Sequence, residues 1–313
     1  LKAKQAAKQR FIDALARGVF FMSQNVEDEM GMKREEFRQH CQRLLERPIF
    51  TFVRRMVPYK CANSIIDVFE HLSYRERIIK ALATVFIGGR KFDDFADKQR
   101  NRIRGLTDQD ARVREFIWFI SNHHVFSSWL LQQATDFGGM LSWLGKEAGP
   151  TSFGNGQQNG AATVATLDGV IAERLKPIVR DDNGRIISGT GYVVDYEKNP
   201  SGGETKPDND SFVRALEQAS KDYFDPYNRG ALAFNALKMG MTQGDICNQA
   251  RGLIAVWAEC AHKKVSSPVE SDEQKERALE ASREALRQLG RLVAQAVTKV
   301  AGDSTRSANI FFF

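Results

Sequence analysis

The sequence predicts a mainly α-helical protein: two helical lobes joined by a Gly/Asn/Gln-rich linker and a small antiparallel β-hairpin or meander. Three observations predict this class. The 313 residues include only 8 prolines, and helix-favouring Ala, Arg, Glu, Gln and Leu are frequent. Apolar residues recur at helical spacing in most segments. The stretch GKEAGPTSFGNGQQNGAAT, residues 145–163, loses nearly all apolar character, as linkers do.

These features predict four parts. They are an N-terminal helical lobe with a basic surface (1–148), a linker plus β-hairpin (149–207), a C-terminal helical lobe (208–302) and an apolar tail (303–313).

In the first lobe we expect amphipathic helices over 1–30, 33–57 (kinked at Pro48) and 62–87, the last split near Ser73. Gly88 and Gly89 end this series. The apolar run that follows Thr107 predicts a further helix at the centre of the lobe.

The strongest turn signal in the second half is Asn183-Gly184, which lies between apolar clusters and predicts the hairpin. A helix over 208–224 follows, with Asp208 as its cap. The segment 236–246 has the spacing of a helix-turn-helix, with the turn at Gly240. An ordinary corner between two helices explains the same spacing, and both interpretations stay open.

Positive charge is concentrated in one part of the chain. Residues 38–114 contain 17 Lys and Arg against 9 Asp and Glu, whereas the whole chain has a net charge of +6. A regional excess of this kind indicates a basic surface that binds a polyanion. The predicted nucleic-acid contacts are Arg54, Arg55, Arg90, Lys91, Lys98, Arg100, Arg102, Arg104, Arg112, Arg114, Gln243, Asn248 and Arg251.

Contacts between copies of the chain are predicted at its end. Residues 271–301 carry a heptad pattern, which is typical of a seam between two helices, and the chain ends in four apolar residues. The predicted oligomer contacts are Leu279, Leu286, Leu289, Val293, Ile310, Phe311, Phe312 and Phe313.

The search for catalytic chemistry yields little. No nucleophile-elbow, Walker or dinucleotide-binding motif stands in the required context. His123 and His124 are adjacent, so on a helix they point in different directions and do not chelate one metal. We therefore expect no enzyme activity, no cofactor and no metal. The four cysteines have no CxxC spacing and no run of about 18 apolar residues occurs, which favours a cytoplasmic protein without a membrane span.

The sequence thus predicts an intracellular nucleic-acid-binding structural protein. It would bind the phosphate backbone of DNA or RNA through its basic helical surface and assemble with other copies through its terminal arms. The alternative is a non-catalytic scaffold subunit of a large complex, whose basic face meets an acidic protein partner.

Overall fold

The structure, a computed structural model, describes residues 2–21, 32–89, 94–198, 203–243 and residue 280. The chain divides into two compact units, Leu1–Gly240 and Met241–Phe313. The sheet and the helices that surround it belong to the first unit.

A six-stranded sheet, parallel throughout, is the centre of this unit. Its strands are β1 (Ile49–Val53), β2 (Thr84–Gly88), β3 (Ile117–Ile120), β4 (Phe137–Met140), β5 (Ala162–Thr166) and β8 (Gly191–Val194). Strands β6 (Val179–Arg180) and β7 (Ile186–Ser188) form a separate antiparallel pair. The order β3-β2-β1-β4-β5-β8 is that of a doubly wound fold, in which the chain reverses its direction of progress between β1 and β4.

Ten α-helices are described. They are α1 (Lys2–Ala16), α2 (Arg34–Arg43), α3 (Ala62–Glu70), α4 (Leu72–Lys80), α5 (Phe95–Gln109), α6 (Val125–Ala134), α7 (Thr151–Gln158), α8 (Val170–Arg174), α9 (Asn209–Phe224) and α10 (Pro226–Gln243). Short 3₁₀ helices cover Pro58–Lys60 and Ala111–Glu115. No helix among the described residues combines the length and the apolar character needed to cross a membrane.

Helices cover both faces of the sheet. On one face, residues of α1, α2 and α6 pack in one apolar cluster with Ile49, Phe86 and Trp118. On the other, residues of α3, α4, α5 and α9 pack with Phe50 and Val85. All five positions of β2 are buried, because a parallel strand between two helical layers has no solvent-facing side.

The predicted mainly α fold with two helical lobes is therefore wrong. The error arises because helices cover both faces of the sheet. A strand that is buried on both faces reads as a short, continuous apolar run, and such a run cannot be distinguished from part of a helix by its periodicity. The apolar runs at 49–53, 84–88 and 117–120 were assigned to helices for this reason, and each is a strand.

The predicted linker does not connect two lobes. Part of residues 145–163 forms α7 and the start of β5, and β5 pairs directly with β4. The antiparallel pair β6–β7 does flank Asn183-Gly184, but it is an appendage beside the large sheet. The predicted helix-turn-helix is absent at its turn, because α10 continues through Gly240 to Gln243.

Gly139 gives a first test of the packing between β4 and the neighbouring strand β1. A Cβ atom at this position would lie 1.9 Å from the ring of Phe52, whereas a Cβ at the neighbouring Gly138 would meet nothing within 4 Å. We expect Gly139→Ala to lower the free energy of unfolding by about 2 kcal/mol through overpacking. Gly138→Ala should leave it unchanged or raise it by up to about 1 kcal/mol. Urea unfolding of both variants measures the difference, and equal stabilities would contradict the packing described here.

Candidate active-site crevice

The point where the sheet reverses its winding is where a doubly wound fold places its ligands. β1 and β4 are neighbours in the sheet, yet their chain connections leave in opposite directions, which opens a crevice at their carboxyl ends. In this protein the loop after β1 carries Arg54, Arg55 and Lys60, and the loop after β4 carries Ser142 and Glu147. We call these five residues and their surroundings the switch-point crevice.

Two cations share one carboxylate in this crevice. Arg54 Nη2 and Lys60 Nζ both donate to Glu147 Oε2, the latter at 2.7 Å. Arg54 Nη1 also donates to the carbonyl oxygen of Leu141, at 2.9 Å. The side chains of Arg54 and Glu147 are 6% and 7% exposed. Burial lowers the pKa of Arg54, and the charge of Glu147 opposes that shift.

The backbone around Glu147 is fixed by Asp168, which follows the carboxyl end of β5. Its Oδ2 accepts hydrogen bonds from the backbone nitrogens of Lys146 (3.0 Å) and Glu147 (2.8 Å). The next residue, Gly169, has a φ of 50°, and a Cβ there would lie 2.1 Å from the carbonyl oxygen of Glu147. The loop after β4 is thus held against the loop after β5 at a distance that only glycine permits.

Two hydroxyl groups lie buried beneath the crevice. Ser142 and Thr166 are fully buried, and the Thr166 hydroxyl accepts a hydrogen bond from the backbone nitrogen of Ser142 at 3.1 Å. Arg55 lies at the exposed rim, where its guanidinium donates to the Tyr59 hydroxyl at 3.1 Å. The crevice therefore combines positive charge with a carboxylate, which suits a polar ligand that carries negative charge.

The residues predicted to contact nucleic acid do not meet on one surface. Arg54 and Arg55 follow the carboxyl end of β1, whereas Arg112 and Arg114 precede the amino end of β3. Because β1 and β3 are parallel members of one sheet, these pairs lie at opposite edges. Lys98, Arg100, Arg102 and Arg104 lie between them in sequence, on α5.

Several of these side chains also form ion pairs with carboxylates. Arg102 contacts Asp67 and Glu70, each at 2.6 Å. Arg112 contacts Glu76 at 2.6 Å and Asp110 at 2.8 Å. Longer ion pairs join Arg100 to Asp97 and Arg114 to Asp108, both at 3.7 Å.

Other predicted residues lie outside the described part of the chain. They are Arg90, Lys91, Asn248 and Arg251 among the nucleic-acid contacts, and Leu279, Leu286, Leu289, Val293, Ile310, Phe311, Phe312 and Phe313 among the oligomer contacts. Gln243 is the last residue of α10.

Sequence reasoning missed Lys60, Glu147 and Asp168. A usable signal was present: each stands a few residues after a short apolar run, which is where the carboxyl end of a parallel strand delivers its loop. Among the described residues, no group of three or more His, Cys, Asp or Glu side chains could hold a metal ion.

No family model matches the chain, and no curated protein matches it. Solved structures that are similar include Anabaena HepE in complex with UDP and glucose, with 14% identity and a TM-score of 0.46 over 74% of this chain and 53% of that one. Another is a glycosyltransferase from Rickettsia africae, with 15% identity and a TM-score of 0.49 over 74% and 53%. A third is the catalytic domain of starch synthase IV from Arabidopsis thaliana bound to ADP and acarbose, with 15% identity and a TM-score of 0.45 over 74% and 38%. The chain thus spans about half of the length of HepE.

The prediction of a nucleic-acid-binding structural protein, and its alternative of a non-catalytic scaffold subunit, are wrong. Both required a helical protein with one continuous basic face, and the structure has a doubly wound sheet whose basic residues are divided between two edges. The prediction that the protein is not an enzyme is corrected as well. It followed from the absence of a recognised catalytic motif, and a motif search does not detect charged groups that the fold brings together from distant parts of the sequence, such as Arg54 and Glu147.

Proposed function

We propose that the protein is an enzyme of glycosyl transfer and that its switch-point crevice binds a sugar donor with a phosphate or diphosphate leaving group. The observation that carries the proposal is the sharing of one buried carboxylate by two cations, Arg54 and Lys60. Together Arg54 and Lys60 carry one positive charge more than Glu147 neutralises. A surplus of this kind at a switch point favours an anionic ligand.

Lys60, Arg55 and Glu147 would contact different parts of the donor. Lys60 and Arg55 would contact the phosphate oxygens and stabilise the negative charge that grows on them as the bond to the sugar breaks. Glu147 receives both of its hydrogen bonds on Oε2. Its Oε1 would accept a hydrogen bond from a sugar hydroxyl and so orient the ring. Arg54, buried beneath them, would position Glu147 rather than touch the donor.

Binding of UDP, UDP-glucose and ADP by isothermal titration calorimetry tests the proposal. We choose these probes because the similar structures were solved with such ligands, and we measure binding because this chain spans only part of those proteins. Lys60→Gln should weaken the binding of at least one probe by about 10- to 100-fold, the loss of one charge-assisted hydrogen bond.

The control is Lys98→Gln, which removes the same charge from an exposed position on α5. It should change affinity less than twofold. The proposal fails if none of the three probes binds the wild-type chain, or if both variants weaken binding equally.

A further inference from the structure

A second charged cavity lies at the opposite edge of the sheet. This cleft of about 250 Å³ is lined by Asp136 and Phe137 at the amino end of β4, by Gly160 before β5, and by residues of α1, α9 and α10. The switch-point crevice is at the carboxyl ends of the same strands, so the two sites are separate. We call this cleft the amino-edge pocket.

The pocket has much more positive than negative charge. Lys2, Lys4, Lys8 and Arg229 line it, against the single carboxylate of Asp136. Lys8 uses that carboxylate: its amino group donates to Asp136 Oδ2 at 3.0 Å, to the Tyr223 hydroxyl at 2.9 Å and to a backbone carbonyl. Its three donors are therefore satisfied within the protein.

Lys4 is not neutralised in this way. Two of its three donors reach backbone carbonyls, those of Thr135 and Asn159, the latter at 3.1 Å. Burial lowers the pKa of Lys4 to about 8, which the charge of Lys8 reinforces and that of Asp136 only partly offsets. A buried ammonium that a carboxylate compensates only in part is stabilised by an incoming anion.

Arg229 supplies a second unsatisfied donor. Its guanidinium lies 5.2 Å from the centre of the Tyr223 ring, which fixes its orientation. Its Nε atom is buried and has no hydrogen-bond partner in the described part of the chain. Buried donors are nearly always paired in folded proteins, and no described residue provides the acceptor for this one.

Apart from Gln5, much of the remaining wall is apolar. Phe137 and Leu232 are buried, and Ala233 adjoins them. The cleft is at the small end of the range for ligand pockets, below about 300 Å³, so it suits a compact molecule. A phosphate group would face Lys4 and Arg229, since guanidinium and ammonium groups are the usual donors to its oxygens. A short apolar portion would then contact Phe137 and Leu232.

We propose that the amino-edge pocket binds a small organic phosphate monoester, with Lys4 and Arg229 contacting the phosphate and Phe137 and Leu232 contacting the organic group. This proposal is independent of the function assigned to the switch-point crevice.

Calorimetric titration with phenyl phosphate tests it on the full chain. Arg229→Gln and Lys4→Gln should each weaken binding at least tenfold. Lys221→Gln, which removes a charge from an exposed position of α9 outside the pocket, should change it less than twofold. Unaltered affinity in both pocket variants would overturn the proposal.

Titration with inorganic phosphate tests whether the pocket binds a phosphate monoester or the free phosphate ion. Weaker binding than phenyl phosphate supports the monoester with its apolar contacts, whereas equal or tighter binding overturns the monoester in favour of the free ion.

A measurement on the wild-type chain avoids any folding defect of the variants. Phenyl phosphate should raise the pKa of Lys4, followed by NMR of its side-chain carbon, and an unchanged pKa would count against contact with Lys4.

Discussion

Replacing Asp222 by alanine is expected to lower the free energy of unfolding by about 4 kcal/mol, the cost of removing a buried carboxylate from its partly buried ion pair and its hydrogen bonds. Arg180 donates to both carboxylate oxygens, at 2.9 and 2.5 Å. The Tyr192 hydroxyl donates at 2.7 Å and the Asn228 amide at 3.0 Å. One carboxylate of α9 thus joins β6, β8 and α10, and its loss leaves buried donors unpaired. Urea unfolding at pH 7 measures the effect.

The control is Asp182→Ala in the exposed turn of the β6–β7 pair, where we expect a change below about 0.5 kcal/mol. A loss of similar size in both variants would contradict the role of Asp222. Both variants remove one aspartate carboxylate, but the two positions differ in burial. The difference between their losses of stability therefore reports the contribution of the buried hydrogen-bond network.

The contribution of Asp222 also depends on pH. Burial acts to raise the pKa of this carboxyl, but the hydrogen bonds from Arg180, Tyr192 and Gln218 outweigh it and hold the pKa below its usual value. Because the pKa of Asp222 is lower in the folded state than in the unfolded state, the ionised carboxylate stabilises the fold at pH values above the unfolded-state pKa of about 3.9. This stabilisation is lost as the pH falls further, through the folded-state pKa. The stability difference between wild type and Asp222→Asn should therefore be constant from pH 7 to 5 and shrink at pH 3.

Local signals in the sequence were sufficient for some elements. The helix predicted over 208–224 is α9, and Asp208 accepts the predicted capping hydrogen bond from the Ser211 backbone at 2.7 Å. The break predicted near Ser73 separates α3 from α4 at His71. Each of these features is specified by residues within a few positions of one another, so the sequence pattern contains the whole interaction.

The sheet could not be obtained in the same way. β1 and β2 pair from Ile49 with Thr84 to Val53 with Gly88, although 35 positions separate each pair. Neither strand alternates between apolar and polar residues, so nothing local distinguishes it from a buried helix. The better guide was the recurrence of short apolar runs, each followed by a charged or Gly-rich loop, which is typical of α/β folds.

The crevice could not be predicted from the sequence for a related reason. Arg54 was recognised as a candidate phosphate contact, but its partner Glu147 is 93 positions away, in the stretch predicted as a linker. Charge counting treated Arg54 as a free surface cation, whereas the fold buries it against a carboxylate. Regional net charge predicts a binding surface only where the side chains stay exposed, and pairing across the sheet is decided by topology.

The second large effect is expected at this buried pair. Glu147→Leu should lower the free energy of unfolding by about 4 kcal/mol, because it leaves the Arg54 guanidinium buried without its counter-charge. Adding Arg54→Met should recover at least about 2 kcal/mol of that loss, since an apolar pair of similar volume often replaces a buried ion pair at little cost. Urea unfolding of the two single variants and the double variant measures the coupling between them.

The matched control is the exposed pair of Arg112 and Glu76, whose side chains are 56% and 45% exposed. Glu76→Leu should cost less than about 1 kcal/mol, because water screens an exposed ion pair. If Glu147→Leu costs no more than Glu76→Leu, Arg54 is not buried as described and is available at the surface after all. If the double variant recovers stability but no longer binds the UDP, UDP-glucose or ADP that wild type binds, the buried pair of Arg54 and Glu147 serves the ligand and not the fold alone.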